Sequence, residues 1–504
     1  MNNMLFKPRR IIASSLVCFS VLLSGCDSDD SSSDDGYVKF YNASSNSPAM
    51  YLTVDEDLSS DSSDEIETTF SAVSFGSALS TQDLPSQKYY YELAWQDDED
   101  DSSREDLAIV AEDQLTVKAN EITLLVMYGD VQSPYVAQYE IDKIDDQDDT
   151  DNDLFNLRFL NASNDEQTLD VYMSKSNQTF NEASYMGTVA HLELTDNTKL
   201  DEDDYIFYLT QAGQTDVLFE STVVEYPYSS QYMIVIRNDS NVGGSEYVID
   251  NVGNSSVSTY QDSNAVSHFR IYNGVQQSDI MPEYTGELNI TFDSLGDEEI
   301  APINNLQSGE FSTVRTIENG DFSVDISDAT TEEYLINRQL ISLEENANKT
   351  IFYYSMEVAI DEDGDGDVDE DGDGQIDEKE LQVKSVMIEN STRDRIYDHE
   401  VEILSLSYSE EFSQVNFYFV QSDETISTAS NIKRTTLGNP VSLELNNNTY
   451  DVFAITDIDG RETILDSMVL TLDEESQELF MLLEANESMP SGYEIRVLNQ
   501  TSDN

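Results

Sequence analysis

The chain has 504 residues, with 102 acidic side chains against 24 basic ones and a formal net charge of −78 at pH 7. That length allows several domains of about 100–200 residues each, and 38% hydrophobic with 10% aromatic residues is too rich for a wholly disordered polymer. So strong a polyanion repels phosphates and has few cations with which to displace counterions, which excludes nucleic acid as a partner.

The first 25 residues hold three bases, Lys7, Arg9 and Arg10, and no acid; an apolar run from Ile11 to Leu23 leads into Ser24-Gly25-Cys26. A charged start, a short apolar stretch and small residues before a cut form a secretory signal peptide, over residues 1–25. The run is shorter than the about 20 apolar residues of a membrane-spanning helix. Leu23-Ser24-Gly25-Cys26 resembles the lipobox of bacterial lipoproteins. The resemblance implies that Cys26 is acylated and anchors the mature protein to a membrane, stably if it carries several chains. Removal of the peptide deletes Cys18, leaving the lipidated Cys26 and no disulfide. An acidic Ser/Asp tether follows over 26–36. The expected location is the bacterial cell envelope, on the outer membrane or cell surface. Asp27 resembles the inner-membrane retention signal of enteric bacteria and keeps the periplasmic face of the inner membrane open.

Beyond the tether a short motif recurs: apolar, usually basic, apolar, variable, Asn. It reads Val38-Lys39-Phe40-Tyr41-Asn42, Leu157-Arg158-Phe159-Leu160-Asn161 and Phe269-Arg270-Ile271-Tyr272-Asn273, then Val386-Met387-Ile388-Glu389-Asn390 and Ile495-Arg496-Val497-Leu498-Asn499. Even spacing of about 110–120 residues marks four tandem units. Within them the apolar period is two, as in Tyr89–Trp95, Tyr205–Leu209 and Val415–Val420. Turn signals such as Asp459-Gly460 separate the runs. No long amphipathic helical pattern occurs. Seven or eight short strands per unit predict an all-β chain of four tandem antiparallel, immunoglobulin-like β-sandwich domains. The expected boundaries are 37–153, 154–265, 266–360 and 381–504, with an acidic joint at 361–380.

The stretch Asn156–Ser163, followed by Leu169-Asp170-Val171-Tyr172, resembles repeats of a secreted bacterial domain-of-unknown-function family, numbered 4397. Val38–Ser44 with Ser47-Pro48-Ala49, and Asn448–Phe453, carry the same resemblance in the first and fourth units. It implies exported tandem β-sandwiches and supplies no catalytic residue.

The segment 361–380, DEDGDGDVDEDGDGQIDEKE, carries the clearest chemistry. From Asp369 to Glu380 it fits the calcium-loop pattern D-x-[DN]-x-[DN]-G-x₅-E. Asp369, Asp371 and Asp373 supply alternate carboxylates, Gln375 a backbone carbonyl, Asp377 a water-mediated ligand and Glu380 a bidentate one. Calcium wants six to eight hard oxygens, and this spacing provides them. An overlapping frame places Asp361, Asp363, Asp365 and Asp367 around a second ion, with shared carboxylates. This arrangement resembles thrombospondin type-3 repeats. Ca²⁺ is the expected cofactor and would stiffen the joint between the third and fourth units. Asp145–Asp153, lacking glycine, reads as a solvated connector between the first two.

His191, His268 and His399 are dispersed, and neither H-E-x-x-H, G-x-S-x-G nor a P-loop occurs. The expected function is a non-catalytic, lipid-anchored envelope protein in adhesion, matrix contact or scaffolding, with a surface polysaccharide or protein as ligand. The alternative is an envelope hydrolase or polysaccharide-processing enzyme whose carboxylate pair is spatial and invisible to motif reading.

Overall fold

The computed structural model describes residues 35–57, 66–97, 104–144, 147–165, 167–239, 242–277, 284–294, 300–360 and 379–501. Strands dominate them; the helical elements among the described residues are Gln147–Asp151 and two 3-10 turns, Arg104–Asp106 and Phe180–Glu182. Eight sheets group into four sandwiches spanning 35–142, 154–260, 267–389 and 398–499. The expected all-β class and sandwich architecture are borne out.

Each sandwich closes on its own core. Phe40, Leu52, Leu93 and Leu125 fill the first, and Phe159, Phe207 and Ile236 the second. Ile271, Ile290 and Val324 fill the third, and Ile403, Phe417 and Val452 the fourth. Isolated bridges aside, the named strands pair antiparallel except at one place in every unit, where the opening strand lies parallel to a late one. These pairs are Asp35–Ala43 with Glu121–Tyr128, Leu154–Asn161 with Gln231–Asn238, Ser267–Gly274 with Asn348–Ala359, and Asp398–Ser405 with Leu479–Ala485.

Burial separates two kinds of sheet. The outer sheets alternate, as in Gln414–Val420 and Gly320–Asp328, because one face meets solvent. The sheets with the parallel pair are buried on both faces, so Glu121–Tyr128 and Leu154–Asn161 are buried almost without a break. Their second face meets another unit. Tyr41, Leu124 and Val126 of the first pack on Leu160, Met233 and Val235 of the second. Tyr272, Phe352 and Tyr354 of the third pack on Leu404, Phe480 and Leu482 of the fourth. The units are therefore two face-packed pairs.

Further contacts close the circuit. Asn346 of the third unit accepts the Gly243 N–H at 2.7 Å and donates to Asp239. Trp95 of the first stacks on Tyr397, with centroids 4.7 Å apart and planes 4° from parallel. Asn446 of the fourth donates to the Asp97 carbonyl at 3.1 Å.

Two expectations need correction. Strand Lys379–Glu389 pairs along its length with Asn348–Ala359. Residues 361–378 thus join neighbouring strands of one sheet, and the third unit runs on to Glu389 instead of ending at 360. The connector to the fourth unit is 390–397. Secondly, Asp145–Asp153 is not simply solvated: Asp149 is buried, bonded to Asn156 at 2.9 Å and paired with Lys199 at 2.5 Å. The first three motif copies open units, whereas the last two lie on strands that close them, Lys379–Glu389 and Tyr493–Asn499. The opening strand of the fourth unit carries Val401-Glu402-Ile403-Leu404-Ser405 in the motif's register, since Ser405 lies beside Leu483 as Asn161 lies beside Ile236. Serine and glutamate at the diagnostic positions conceal the copy.

Candidate functional site

The motif asparagines are internal fasteners. Asn42 is fully buried; its Oδ1 accepts the Ser44 N–H at 3.0 Å, while its Nδ2 donates to the Val73 carbonyl at 3.1 Å and Ser47 Oγ at 2.9 Å. Asn161 takes the Ser163 N–H at 3.1 Å and gives to the carbonyls of Gln167 and Val189 at 2.8 and 3.3 Å. Asn273 takes the Val275 N–H at 3.1 Å and gives to the Leu306 carbonyl at 2.9 Å. One planar amide closes a local turn and ties down a crossing segment, which needs both a donor and an acceptor on a short stem.

The basic motif residues of the first and third units tie units together, whereas Arg158 donates to Asn197 of its own unit at 3.3 Å. Lys39 Nζ of the first unit donates to the carbonyls of Gly253 and Asn254 of the second, at 2.8 and 3.0 Å. Arg270 Nη2 of the third donates to the carbonyls of Asn499 and Gln500 at the end of the fourth, both at 2.7 Å. Burial pushes the Lys39 ammonium down to about 8 and the Arg270 guanidinium down to about 10. A base at this position, in a chain holding only 24, was the available sequence signal; its partner carbonyls were not legible.

Beside these contacts lie two triads whose carboxylates are buried, with Arg496 of the second partly exposed. The hydroxyl of Tyr41 donates to Asp250, which pairs with Arg237 at 2.7 Å. The hydroxyl of Tyr272 donates to Glu484 at 2.8 Å, and Arg496 donates to both at 2.8 and 3.0 Å. Burial first, and then the neighbouring carboxylate, raises both phenols above their ordinary range. Burial also raises Glu484, against the pull of Arg496.

Where the units meet, a cavity of about 540 Å³ is lined by Phe75 of the first, Asp165, Arg237 and Asp239 of the second, and Arg393 and Asp394 of the connector. Both guanidiniums lie on the Phe75 ring, 4.6 and 5.6 Å from its centroid. Arg237 is neutralised by Asp250, whereas Arg393 donates to the neutral carbonyls of Ser45 and Ser47. This volume lies within the about 300–1,000 Å³ of small-molecule sites. Its wall offers Arg393, a cation without a carboxylate ion pair among the described residues, together with aspartates that already hold protein donors, Asp165 those of Ser163 and Tyr247 and Asp239 that of Asn346.

Nearby, Arg395 is almost completely buried and gathers Glu444 at 2.6 Å, Asp398 at 3.3 Å, Glu478 at 3.4 Å and Glu400 at 3.6 Å. Burial pushes the Glu478 carboxyl up to about 7; Glu402 is likewise pushed up to about 7 by burial and then by Glu400. Motif reading missed this cluster because its members come from two strands, a loop and a connector.

Of the expected ion and lipid sites, Cys26, Asp361, Asp363, Asp365, Asp367, Asp369, Asp371, Asp373, Gln375 and Asp377 lie outside the described residues. Glu380 is exposed on strand Lys379–Glu389, opposite Val358. Beside it Lys379 pairs with Glu357 of its own unit at 3.8 Å and with Glu410 of the fourth. Among the described residues no group of three or more His, Cys, Asp or Glu is placed to hold a metal. His399 is buried on Asn447 at 2.9 Å. No described helix is long and apolar enough to cross a membrane.

Several solved structures resemble the chain weakly. The Bacillus anthracis TIE protein is 9% identical with a TM-score of 0.15, covering 87% of this chain and 69% of its own. BcpA, the major pilin subunit of Bacillus cereus, is 8% identical with a TM-score of 0.13, covering 65% of this chain and 98% of its own. The pilus adhesin SpaC from Lactobacillus rhamnosus GG is 12% identical with a TM-score of 0.13, covering 62% of this chain and 39% of its own. Superposition at this level transfers neither topology nor role. No curated protein matches the chain. Residues 36–172 match the family described as Domain of unknown function (DUF4397), so the expected resemblance holds across the first unit and into strand Leu169–Lys175 of the second.

Proposed function

We propose that the protein is a non-catalytic scaffold of the bacterial cell envelope, anchored through lipid on Cys26 and holding four sandwiches in a fixed arrangement. The observation that carries this is the use of its scarce bases. Lys39, Arg237, Arg270, Arg393 and Arg496 all serve contacts between units or beside them. Such investment suits a body that must keep its shape while transmitting adhesion or matrix contact. The cavity at Phe75 and Arg393 is the point offered to a surface polysaccharide or protein ligand. Calcium, held by Asp369, Asp371, Asp373, Gln375, Asp377 and Glu380, would order the hairpin that ends at Lys379 beside Glu410.

Membrane fractionation tests the anchor. Wild-type protein should sediment with envelope membranes and Cys26→Ser should be soluble. Equal partition of both would contradict the reading. Arg393→Ala should weaken attachment of cells to their matrix with Cys26 anchoring intact; unchanged attachment would remove the cavity from the account.

A further inference from the structure

Register lines up one equivalent row of side chains across the outer sheet of every unit. Met50, Leu169 and Leu288 face Val73, Val189 and Leu306, whose carbonyls the motif asparagines hold. Three residues further on stand Thr53, Tyr172 and Thr291, paired with Glu92, Tyr208 and Asp325. In the fourth unit a second marker locates the row. Tyr89, Tyr205 and Tyr450 each donate to the carbonyl four residues back, and three residues beyond them come Glu92, Tyr208 and Phe453. Phe453 pairs with Tyr418, and their neighbours Val452, Ala454, Phe417 and Phe419 fill the core, so the pair faces away from it. The row is thus threonine with an acid in the first and third units and aromatic in the second and fourth. A sandwich stands without aromatic side chains at this place, so those it carries there answer another need.

In the second unit that need is met from within. Phe180, on the turn 176–183, lies 5.2 Å from the ring of Tyr172 and 5.3 Å from that of Tyr208, and Tyr208 is left 1% exposed. The corresponding turn of the fourth unit, 421–430, holds no aromatic residue, and Tyr418 and Phe453 stay partly exposed. The face around them is apolar. Ile432 flanks Tyr418, Ile455 and Ile464 share the row of Asn416, and Val469 that of Asp451 and Val420. Ile432, Ile464 and Val469 are 45, 50 and 60% exposed. The charges in these three rows are one base, Arg434, and one acid, Asp451, on opposite sides of the aromatic pair.

We propose that this face is where two copies of the chain associate, outer sheet against outer sheet about a twofold axis. Molecules that each carry a formal −78 approach most readily through a neutral surface, and here one base balances one acid. A twofold contact uses the same patch on both partners, which an apolar face with balanced charges permits. Three rows across four strands about 4.8 Å apart cover about 400 Å², the size of patch that on a monomer is often functional. That is below the about 800 Å² per partner of a standard interface, so the dimer is weak in free solution. Confinement to one membrane through the proposed lipid on Cys26 would populate it.

Sedimentation equilibrium of the full chain carrying Cys26→Ser, which needs no lipid, tests the contact over rising protein and NaCl concentrations. The screening length falls from about 10 Å at 0.1 M salt to about 3 Å at 1 M, so the dimer should grow with both. Val469→Asp and Ile464→Asp place a charge in the contact at positions exposed enough for the fold to accept it. Each should weaken dimerisation about tenfold or more. Leu340→Asp, at a side chain 63% exposed on the third unit, adds the same charge elsewhere and should leave dimerisation unchanged. A chain that stays monomeric at about 1 M NaCl, or a dimer that Leu340→Asp weakens as much as Val469→Asp, would overturn the proposal. A monomer retained on immobilised dextran and released by Val469→Asp would also overturn it, by assigning the face to polysaccharide.

Discussion

Lys39 and Arg270 stand at the same position of equivalent strands, and each reaches into the following unit to hold two carbonyls, Gly253 and Asn254 in one case and Asn499 and Gln500 in the other. Methionine keeps most of the stem but donates nothing, so Lys39→Met and Arg270→Met leave buried acceptors unmet. The expected loss is about 1–3 kcal/mol for each variant, read as a lower urea midpoint. Lys384→Met, an exposed control, should shift nothing.

The motif asparagines should prove more sensitive still. Asn161→Ala removes an acceptor for the Ser163 N–H and a donor to two carbonyls, all inside the second unit. At about 1–3 kcal/mol for a buried group left unsatisfied, the second unit should lose several kcal/mol. Asn161→Asp should not rescue it, because a carboxylate restores the acceptor and not the donor. Hydrogen exchange over Leu154–Asn161 measures the effect.

Acidity should strengthen the fourth unit. Burial raises Glu478 from its ordinary value near 4.5 to about 7 in the fold. The folded state therefore holds the proton more tightly than the unfolded chain between those values. Stability falls as pH rises from about 4.5 through 7 and recovers on acidification. Wild-type protein should melt higher at pH 5.5 than at pH 8, and Glu478→Gln should reduce that difference, leaving the share of Glu402, which burial also raises to about 7. An unchanged slope in the variant would assign it elsewhere.

Calcium should act locally. The 369–380 loop is expected to bind on the order of 10⁻⁴–10⁻³ M, as extracellular modules do. Calorimetry should show saturable binding that Asp373→Ala and Glu380→Gln weaken and Asp145→Asn leaves intact. Chelation should expose 361–378 to protease. Absence of saturable binding at millimolar calcium would reduce the segment to an acidic connector.

Much of the fold was legible because strands with period two and a recurring opener leave marks in a single sequence. The fasteners Asn42, Asn161 and Asn273 were found by repetition, although their purpose was not. What remained hidden was pairwise. Leu381–Ile388 looks alike whether it pairs with Ile351–Val358 or opens a new unit, and only the ladder from Lys349–Glu389 to Ala359–Lys379 decides. Tyr41 likewise reads as an ordinary strand tyrosine until Asp250 and Arg237 stand beside it. Exposed tyrosines such as Tyr228 and Tyr334 are dispersed over different units.

The central claim is that the sandwiches are locked in face-packed pairs, through Tyr41, Leu124 and Val235 in one interface and Tyr272, Phe352 and Phe480 in the other. Scanning calorimetry of the full chain tests it most directly. Unfolding takes about 0.7 kcal/mol per residue near 60 °C, so a cooperative pair should melt with about 150 kcal/mol and a lone sandwich with about 75 kcal/mol. The account predicts at most two transitions, each with a van't Hoff enthalpy near the pair value. Four separable transitions, each near the value of a lone sandwich, would contradict it.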